Sequence, residues 1–251
     1  RFAPVITQVI PELAPQLGYD QCNHHHIHDL YTHTALVTAA CLLLCKKRVA
    51  SEHGQKIVLQ VLATLLFVAI LTNRLSQVFR YDQVRWYCII PDSFCGMTSL
   101  VLSLGVLSGK KNNSTLHFTW LLALFGGIST VAYATFLDQD ISFFYLPTIS
   151  GLLHHSLSAT LSVAILMFKY IDITYKKWYC TFFGFTAYLT VGAFLMQTFD
   201  MSDAFHIAEP LIPGTPLTAW VMAPMYAVGY GLVLLVVELV KRKKAAAVTA
   251  Q

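Results

Sequence analysis

Residues 217–240 read LTAWVMAPMYAVGYGLVLLVVELV, an apolar run in which Glu238 is the one charged residue. A helix of about 20 mainly apolar residues crosses the roughly 30 Å of hydrocarbon in a bilayer, so this run predicts a membrane-spanning helix. The whole chain has the same character, because 56% of its 251 residues are hydrophobic and only 12% are charged. This composition excludes an ordinary soluble domain, a disordered chain and a collagen-like repeat.

Six further apolar stretches predict an all-α, multi-pass membrane protein with about seven transmembrane helices. We place the spans at residues 28–45, 57–73, 86–108, 116–137, 146–168, 178–198 and 217–240. The predicted organisation is an extracytoplasmic segment at 1–27, a membrane domain at 28–244 and a cytoplasmic tail at 245–251.

The charged residues predict the orientation. Thirteen of the 17 basic residues follow spans one, three, five and seven, whereas ten of the 13 acidic residues lie on the opposite side. Because short basic loops stay in the cytoplasm, we expect the N-terminus outside and the C-terminus inside. We expect the cell membrane rather than an organelle membrane. The basic residues act as topological anchors, so the net charge of +4 does not indicate nucleic-acid binding.

A histidine cluster at residues 24–33 lies before and at the start of the first predicted span. Imidazoles suit zinc or copper, but the sequence identifies no partner that would orient any of these rings. We therefore interpret the cluster as a polar segment at the membrane interface. The sequence predicts no metal site and no cofactor.

Polar residues inside two spans are the strongest functional signal. The third span contains Asp92 and Cys95, and the fifth contains His154 and His155. Ionisable groups at membrane depth are costly and usually face a bundle interior or a cavity. Cys95 and His155 each lie nine positions inside their spans, about 13 Å deep at 1.5 Å per residue. A thiol and an imidazole at one depth predict a Cys–His nucleophile pair.

The predicted site assigns a role to each polar residue. Cys95 is the nucleophile or acyl acceptor, His155 or His154 is the base, and Asp92 orients them. Arg74, Asn73 and Ser93 are predicted to bind substrate, since a guanidinium forks onto phosphate oxygens. The alternative interpretation is helix packing, because small and polar residues join membrane helices. Gly126 and Gly127 in the fourth span predict a close helix approach of that kind.

The third and fifth spans resemble those of the YwaF-type integral membrane proteins of bacteria, whose third span carries a Pro-x-x-x-Cys motif. Pro91 and Cys95 keep that spacing, although Ser93 stands where the family usually has histidine. Residues 153–156, LHHS, resemble the family's histidine followed by a small residue, and residues 209–217, EPLIPGTPL, resemble its Pro-rich entry into the last span. The likeness extends over about residues 25–244.

The YwaF-type proteins are similar in turn to the transmembrane protein 164 family of lipid acyltransferases. The resemblance implies a catalytic cysteine in span three and a catalytic histidine in span five. In that second family the cysteine directly follows the proline, a position that Asp92 holds here. Cys95 therefore matches the catalytic cysteine of that family only if the two sequences are aligned in a shifted register.

Two hypotheses follow from the sequence. The first is a membrane-embedded lipid acyltransferase or lipid hydrolase that takes a phospholipid or a lipidated protein from the outer leaflet. The second is a non-enzymatic accessory or structural subunit of a larger membrane complex. The partners are then membrane lipids or other membrane subunits. A transporter is less favoured, because no inverted repeat is visible.

Overall fold

The computed structural model describes residues 49, 51–80, 84–132 and 145–249, and helices make up most of this part. Its α-helices are α1 (Glu52–Val78), α2 (Phe94–Leu107), α3 (Ser114–Ala132), α4 (Leu146–Met167), α5 (Tyr179–Phe199) and α6 (Ala219–Thr249). Two short 3₁₀ helices span Trp86–Ile89 and Tyr175–Lys177, and no strand occurs in the described ranges. The all-α prediction is confirmed. The predicted segment 1–27, the first predicted span 28–45 and the last two tail residues lie outside the described residues.

Four helical stretches of the described chain are long and apolar enough to cross a membrane, as expected of a membrane protein. They are Glu52–Val78, Leu146–Met167, Tyr175–Phe199 and Ala219–Ala247. These stretches correspond to predicted spans two, five, six and seven. Helix α2 is also apolar, but it has 14 residues and is shorter than a bilayer is thick.

The third predicted span, 86–108, differs from the structure at its outer end. The chain forms the 3₁₀ helix Trp86–Ile89, becomes extended at Ile90 and enters α2 only at Phe94. Pro91 explains the break, because proline lacks an N–H donor and disfavours a helical conformation in the preceding residue. Ser93 then caps α2, its Oγ accepting a hydrogen bond from the Gly96 amide at 3.2 Å. The structure therefore places Asp92 and Ser93 at a helix N-terminus.

Several basic loops meet at one end of the bundle. Lys111, after α2, forms an ion pair with Glu52 at the start of α1. Lys241, on α6, lies 2.7 Å from the Asp172 carboxylate in the loop after α4. We call this the basic end of the bundle.

Two groups of buried side chains stabilise the described helices. An aliphatic core joins α1, α2, α3 and α4 through residues such as Leu66, Leu102, Leu116 and Leu161. Aromatic rings form the second group, which joins α2, α3, α5 and the loop before α6. Its members are Phe94, Phe118, Phe185, Tyr188 and Phe205, which we call the aromatic cluster.

Helices α3 and α4 cross closely at Gly127. A Cβ added at Gly127 would lie 2.6 Å from the Ala159 Cβ and 2.8 Å from the His155 carbonyl oxygen. Such distances are too short for any side chain, so the close approach predicted for the Gly126–Gly127 pair is confirmed. The crossing places the backbone of His155 directly against α3.

Candidate functional site

A polar cavity of about 240 Å³ lies between α1, α2 and α4, at the end of the bundle opposite the basic end. It is lined by Asn73, Arg74, Gln77, Asp92, Ser93, Gly96, Pro147, Gly151, His154 and His155. Six of the seven predicted site residues are among them, and Cys95 is the exception. These six residues come from three parts of the chain and line one space.

Arg74 and Asp92 form an ion pair at the wall of this cavity. The Arg74 Nη1 atom lies 3.0 Å from Asp92 Oδ1, and Arg74 Nε donates to the Cys88 carbonyl at 2.9 Å. The Arg74 side chain is 9% exposed and that of Asp92 is 33% exposed. The sequence assigned these two residues separate roles, whereas the structure pairs them and so makes their combined charge zero.

Asn73 and Ser93 support the walls of the cavity. The Asn73 amide nitrogen donates to the Pro147 carbonyl at 3.3 Å and lies 3.2 Å from Ser150 Oγ, which links α1 to the first turn of α4. Ser93 is the cap of α2. Both residues line the cavity, and both also hold a helix in place.

The two adjacent histidines of α4 are buried side by side, with ring centroids 4.2 Å apart. The Nδ1 atom of His154 lies 3.1 Å from Ser99 Oγ on α2, and the Nδ1 atom of His155 lies 3.1 Å from Thr130 Oγ1 on α3. Neither Nε2 atom has a hydrogen-bond partner within the described ranges. Both rings line the cavity, and we infer that Nε2, the nitrogen of each ring outside these hydrogen bonds, is the one available to a ligand there.

Cys95 occupies the first turn of α2, but its thiol points toward α3 rather than into the cavity. A Cβ added at Gly126 would lie 3.1 Å from Cys95 Sγ, which shows that the thiol packs against that glycine. The sulfur forms no hydrogen bond to any described residue. The structure therefore does not bring Cys95 into hydrogen-bond contact with His154 or His155, the pair that the sequence predicts.

The loop between α5 and α6 is fixed to the segment that carries Asp92. The Phe205 amide donates to the Asp92 carbonyl at 2.6 Å, and the Phe205 ring is buried in the aromatic cluster. Asp200, Phe205 and His206 have positive φ angles near 50–56°, which an L-residue adopts only when its surroundings hold it there. The loop thereby fixes the backbone at the entry to α2.

Sequence reasoning missed the hydroxyl residues behind the histidines. Ser99, Thr130 and Ser158 lie on three different helices, and each is nearly fully buried. A buried hydroxyl in an apolar helix is the available signal, because such a group must find a partner. The sequence alone does not say which partner, since that depends on the rotation of each helix.

The arrangement is suited to binding a polar group and transferring a proton within an apolar bundle. It offers two imidazole Nε2 atoms, an ion pair of zero net charge and the N-terminus of α2, whose amide groups favour an anionic or polar ligand. In the described part of the chain, no group of three or more His, Cys, Asp or Glu side chains is placed to hold a metal ion.

Comparisons of the chain with protein-family models, with curated proteins and with solved structures found no match. The likeness to the YwaF-type proteins therefore stays a prediction from the sequence motifs.

Proposed function

We propose that this protein is a membrane-embedded lipid acyltransferase or lipid hydrolase whose site is the polar cavity between α1, α2 and α4. The observation that carries the proposal is the pair of buried imidazoles that line the cavity, each with its Nδ1 atom next to a hydroxyl inside the protein. Histidine is the side chain that most often moves a proton in enzymes. The YwaF-type resemblance of spans three and five supports the same chemistry.

The substrate class follows from the size and polarity of the cavity. A volume of about 240 Å³ is below the usual range for drug-sized ligands, so it suits an ester or headgroup and not a whole lipid. The acyl chains of a phospholipid would then stay among the apolar helices. Arg74, Asn73 and Ser93 keep their predicted role near the polar end of the substrate, with Arg74 acting as half of an ion pair.

The attacking group of the reaction need not be a protein side chain. A hydroxyl of water or of an acceptor alcohol attacks the ester carbonyl while a histidine accepts its proton, which gives hydrolysis or acyl transfer respectively. The route through Cys95 needs its thiol to leave the contact with Gly126 and reach the cavity. We therefore prefer the direct route and keep the thiol route as its competitor.

The full topology is part of the proposal. We propose seven spans, with the N-terminus outside and the C-terminus cytoplasmic, in the cell membrane. The meeting of basic loops at one end of the bundle supports this orientation, since such loops stay in the cytoplasm. The cavity then lies toward the outer leaflet.

The test uses purified full-length protein in liposomes of mixed phospholipids with isotope-labelled acyl chains. Mass spectrometry follows acyl exchange between lipids and the release of free fatty acid. We expect His155→Gln to lower the rate by about 100-fold or more, the usual contribution of a general base. His117→Gln is the matched control, because His117 is equally buried but lies on α3 near the basic end, where it contacts Asn112.

Two results would contradict the proposal. One is wild-type protein that neither exchanges nor releases acyl chains from any phospholipid class. The other is full activity in a folded His154→Gln/His155→Gln protein. Inactive protein that co-purifies stably with other membrane proteins would instead support the accessory-subunit hypothesis.

A further inference from the structure

The hydroxyl of Thr130 lies between the Gly126 carbonyl and the Nδ1 atom of His155. Thr130 Oγ1 donates to the Gly126 carbonyl at 2.8 Å and lies 3.1 Å from His155 Nδ1. A hydroxyl has one hydrogen, and a carbonyl oxygen can only accept. With that hydrogen directed to Gly126, the Thr130 oxygen presents a lone pair to His155. His155 Nδ1 is then the protonated nitrogen, and its Nε2 carries a free lone pair.

Two serine hydroxyls form a chain of hydrogen-bond contacts that ends at His154 Nδ1. Ser99 Oγ lies 2.7 Å from Ser158 Oγ and 3.1 Å from His154 Nδ1. Ser158 Oγ has no other hydrogen-bond partner among the residues that the structure describes. Both hydroxyl hydrogens find an acceptor only if Ser158 donates to Ser99 and Ser99 donates to His154 Nδ1. His154 Nδ1 is then the unprotonated nitrogen, and its Nε2 carries the hydrogen.

We propose that His154 and His155 are held in opposite tautomers, so that the cavity receives one N–H donor and one nitrogen lone pair. Thr130, Ser99 and Ser158 are positioning residues, because they act on a ligand only through the two rings. This inference rests on the proposed function for its chemical meaning, although the tautomers themselves are measured without it.

Opposite tautomers give the two rings different tasks in ester cleavage. The carbonyl oxygen of the ester accepts a hydrogen bond from His154 Nε2–H, which stabilises the negative charge that develops there. His155 Nε2 takes the proton of the attacking hydroxyl as its oxygen bonds to the carbonyl carbon. The bond to the departing alcohol then breaks, and His155 returns the same proton to that oxygen. Both rings end neutral, and the only co-reactant is water or an acceptor alcohol.

The test is nitrogen NMR of the full chain with ¹⁵N-labelled histidine in lipid nanodiscs, without substrate. Protonated and unprotonated ring nitrogens have well-separated shifts, and couplings to the ring carbon-bound protons distinguish Nδ1 from Nε2. Single His154→Gln and His155→Gln proteins assign the signals. We expect a protonated Nε2 for His154 and a protonated Nδ1 for His155. Finding the same tautomer for both rings in the wild-type protein would overturn the inference.

Variants of Thr130 test its positioning role. Thr130→Val removes the oxygen lone pair, so we expect the His155 signal to shift toward the Nε2-protonated tautomer. The acyl-exchange rate should fall by about 5-fold or more, the equivalent of one lost hydrogen bond. Thr130→Ser keeps the hydroxyl and should restore both readouts. Thr186→Val is the matched control, because Thr186 also donates to the carbonyl four residues back but is exposed on α5.

The readouts separate failure of this inference from failure of the proposed function. An unshifted His155 signal in Thr130→Val would refute the positioning role even if the protein exchanges acyl chains. Opposite tautomers in a protein without acyl exchange would leave the hydrogen-bond inference intact and refute the proposed function.

Discussion

The two sides of the first turn of α2 differ sharply in chemistry. One side faces the polar cavity, where Arg74 and two histidines are buried in an apolar bundle and Asp92 is partly exposed. On the other side, Phe94 packs at 5.4 Å from Phe205 in the aromatic cluster. Asp92 and Phe94 are only two residues apart, so one short segment of chain serves both.

The energetic difference between these sides shows where stability comes from. Edge-to-face aromatic pairs contribute about 0.5–1.5 kcal/mol each beyond the burial of their surface. Buried charges and imidazoles bring a desolvation cost instead, and replacing a buried ion pair with apolar residues often leaves stability unchanged. The aromatic cluster accordingly stabilises the entry to α2. The cavity side is costly in stability, and the function that we propose gives a reason for that cost.

Removal of a ring from the aromatic cluster should produce the largest loss of stability. Phe205→Ala deletes a fully buried ring, and the expected loss in free energy of unfolding is about 3–5 kcal/mol. Thermal or denaturant unfolding in mild detergent measures it. Phe183→Ala is the control, since Phe183 is on α5 but 64% exposed toward the surrounding solvent or lipid. Equal losses for the two variants would contradict the assignment of the cluster.

Breaking the ion pair on the cavity side should cost less stability than the loss of Phe205. Arg74→Met leaves the Asp92 carboxylate unpaired, and because Asp92 is one-third exposed we expect a loss of about 2 kcal/mol, below the value for a fully buried pair. The double variant Arg74→Met/Asp92→Asn should recover most of that loss while acyl exchange stays low. A double-mutant cycle on unfolding and on rate measures both.

The exposed pair Lys241–Asp172 provides the control for that cycle. Its members are 47% and 69% exposed, so Lys241→Met should change the free energy of unfolding by less than about 1 kcal/mol. A double variant of the cavity pair that loses as much stability as Arg74→Met alone would show that the pair is mainly structural.

The helical class and the set of cavity residues were predictable because both depend on local sequence. Apolar runs of membrane length identify spans from composition alone, and scarce polar residues at membrane depth tend to face the same interior. Six of the seven predicted residues meet for this reason. The break at Pro91 was also visible in the sequence, since proline disfavours a helical residue before it. The third predicted span should therefore have begun after Pro91.

The absence of a hydrogen bond between Cys95 and the two histidines has a physical explanation. Equal depth in two spans fixes a residue along the membrane normal, but it leaves the rotation of each helix undetermined. Cys95 and Gly96 are adjacent, yet Gly96 lines the cavity while the Cys95 thiol turns toward Gly126 on α3. The hydroxyl partners of the histidines were hidden for the same reason. Rotation is set by side-chain packing between helices, which one sequence does not specify.

Ser93, which caps α2, lies between the cavity side and the aromatic side of this segment. Its replacement should cause a moderate loss of free energy of unfolding. Ser93→Ala removes the side-chain acceptor for the Gly96 amide, and the expected loss is about 1 kcal/mol of unfolding free energy. Ser93→Asn should retain the cap and most of the stability. A thermal-unfolding comparison of the two variants measures this. An Asn variant as unstable as the Ala variant would show that Ser93 matters through packing and not through the cap.

The smallest effect is expected at Cys95, and it decides between the two routes of acyl transfer. If an external hydroxyl attacks directly, Cys95→Ala changes the acyl-exchange rate by about 2-fold or less, as Cys180→Ala on α5 should. If the thiol is the nucleophile, Cys95→Ala abolishes exchange, and intact-mass measurement of the wild-type protein finds an acyl group on Cys95.

Nucleophilic attack by Cys95 would require the first turn of α2 to rotate so that Sγ leaves Gly126. Since Ser93 and Phe94 directly precede Cys95 in the chain, the rotation would disturb both the aromatic cluster and the cap. Direct attack needs no such rearrangement, because both imidazole rings already line the cavity.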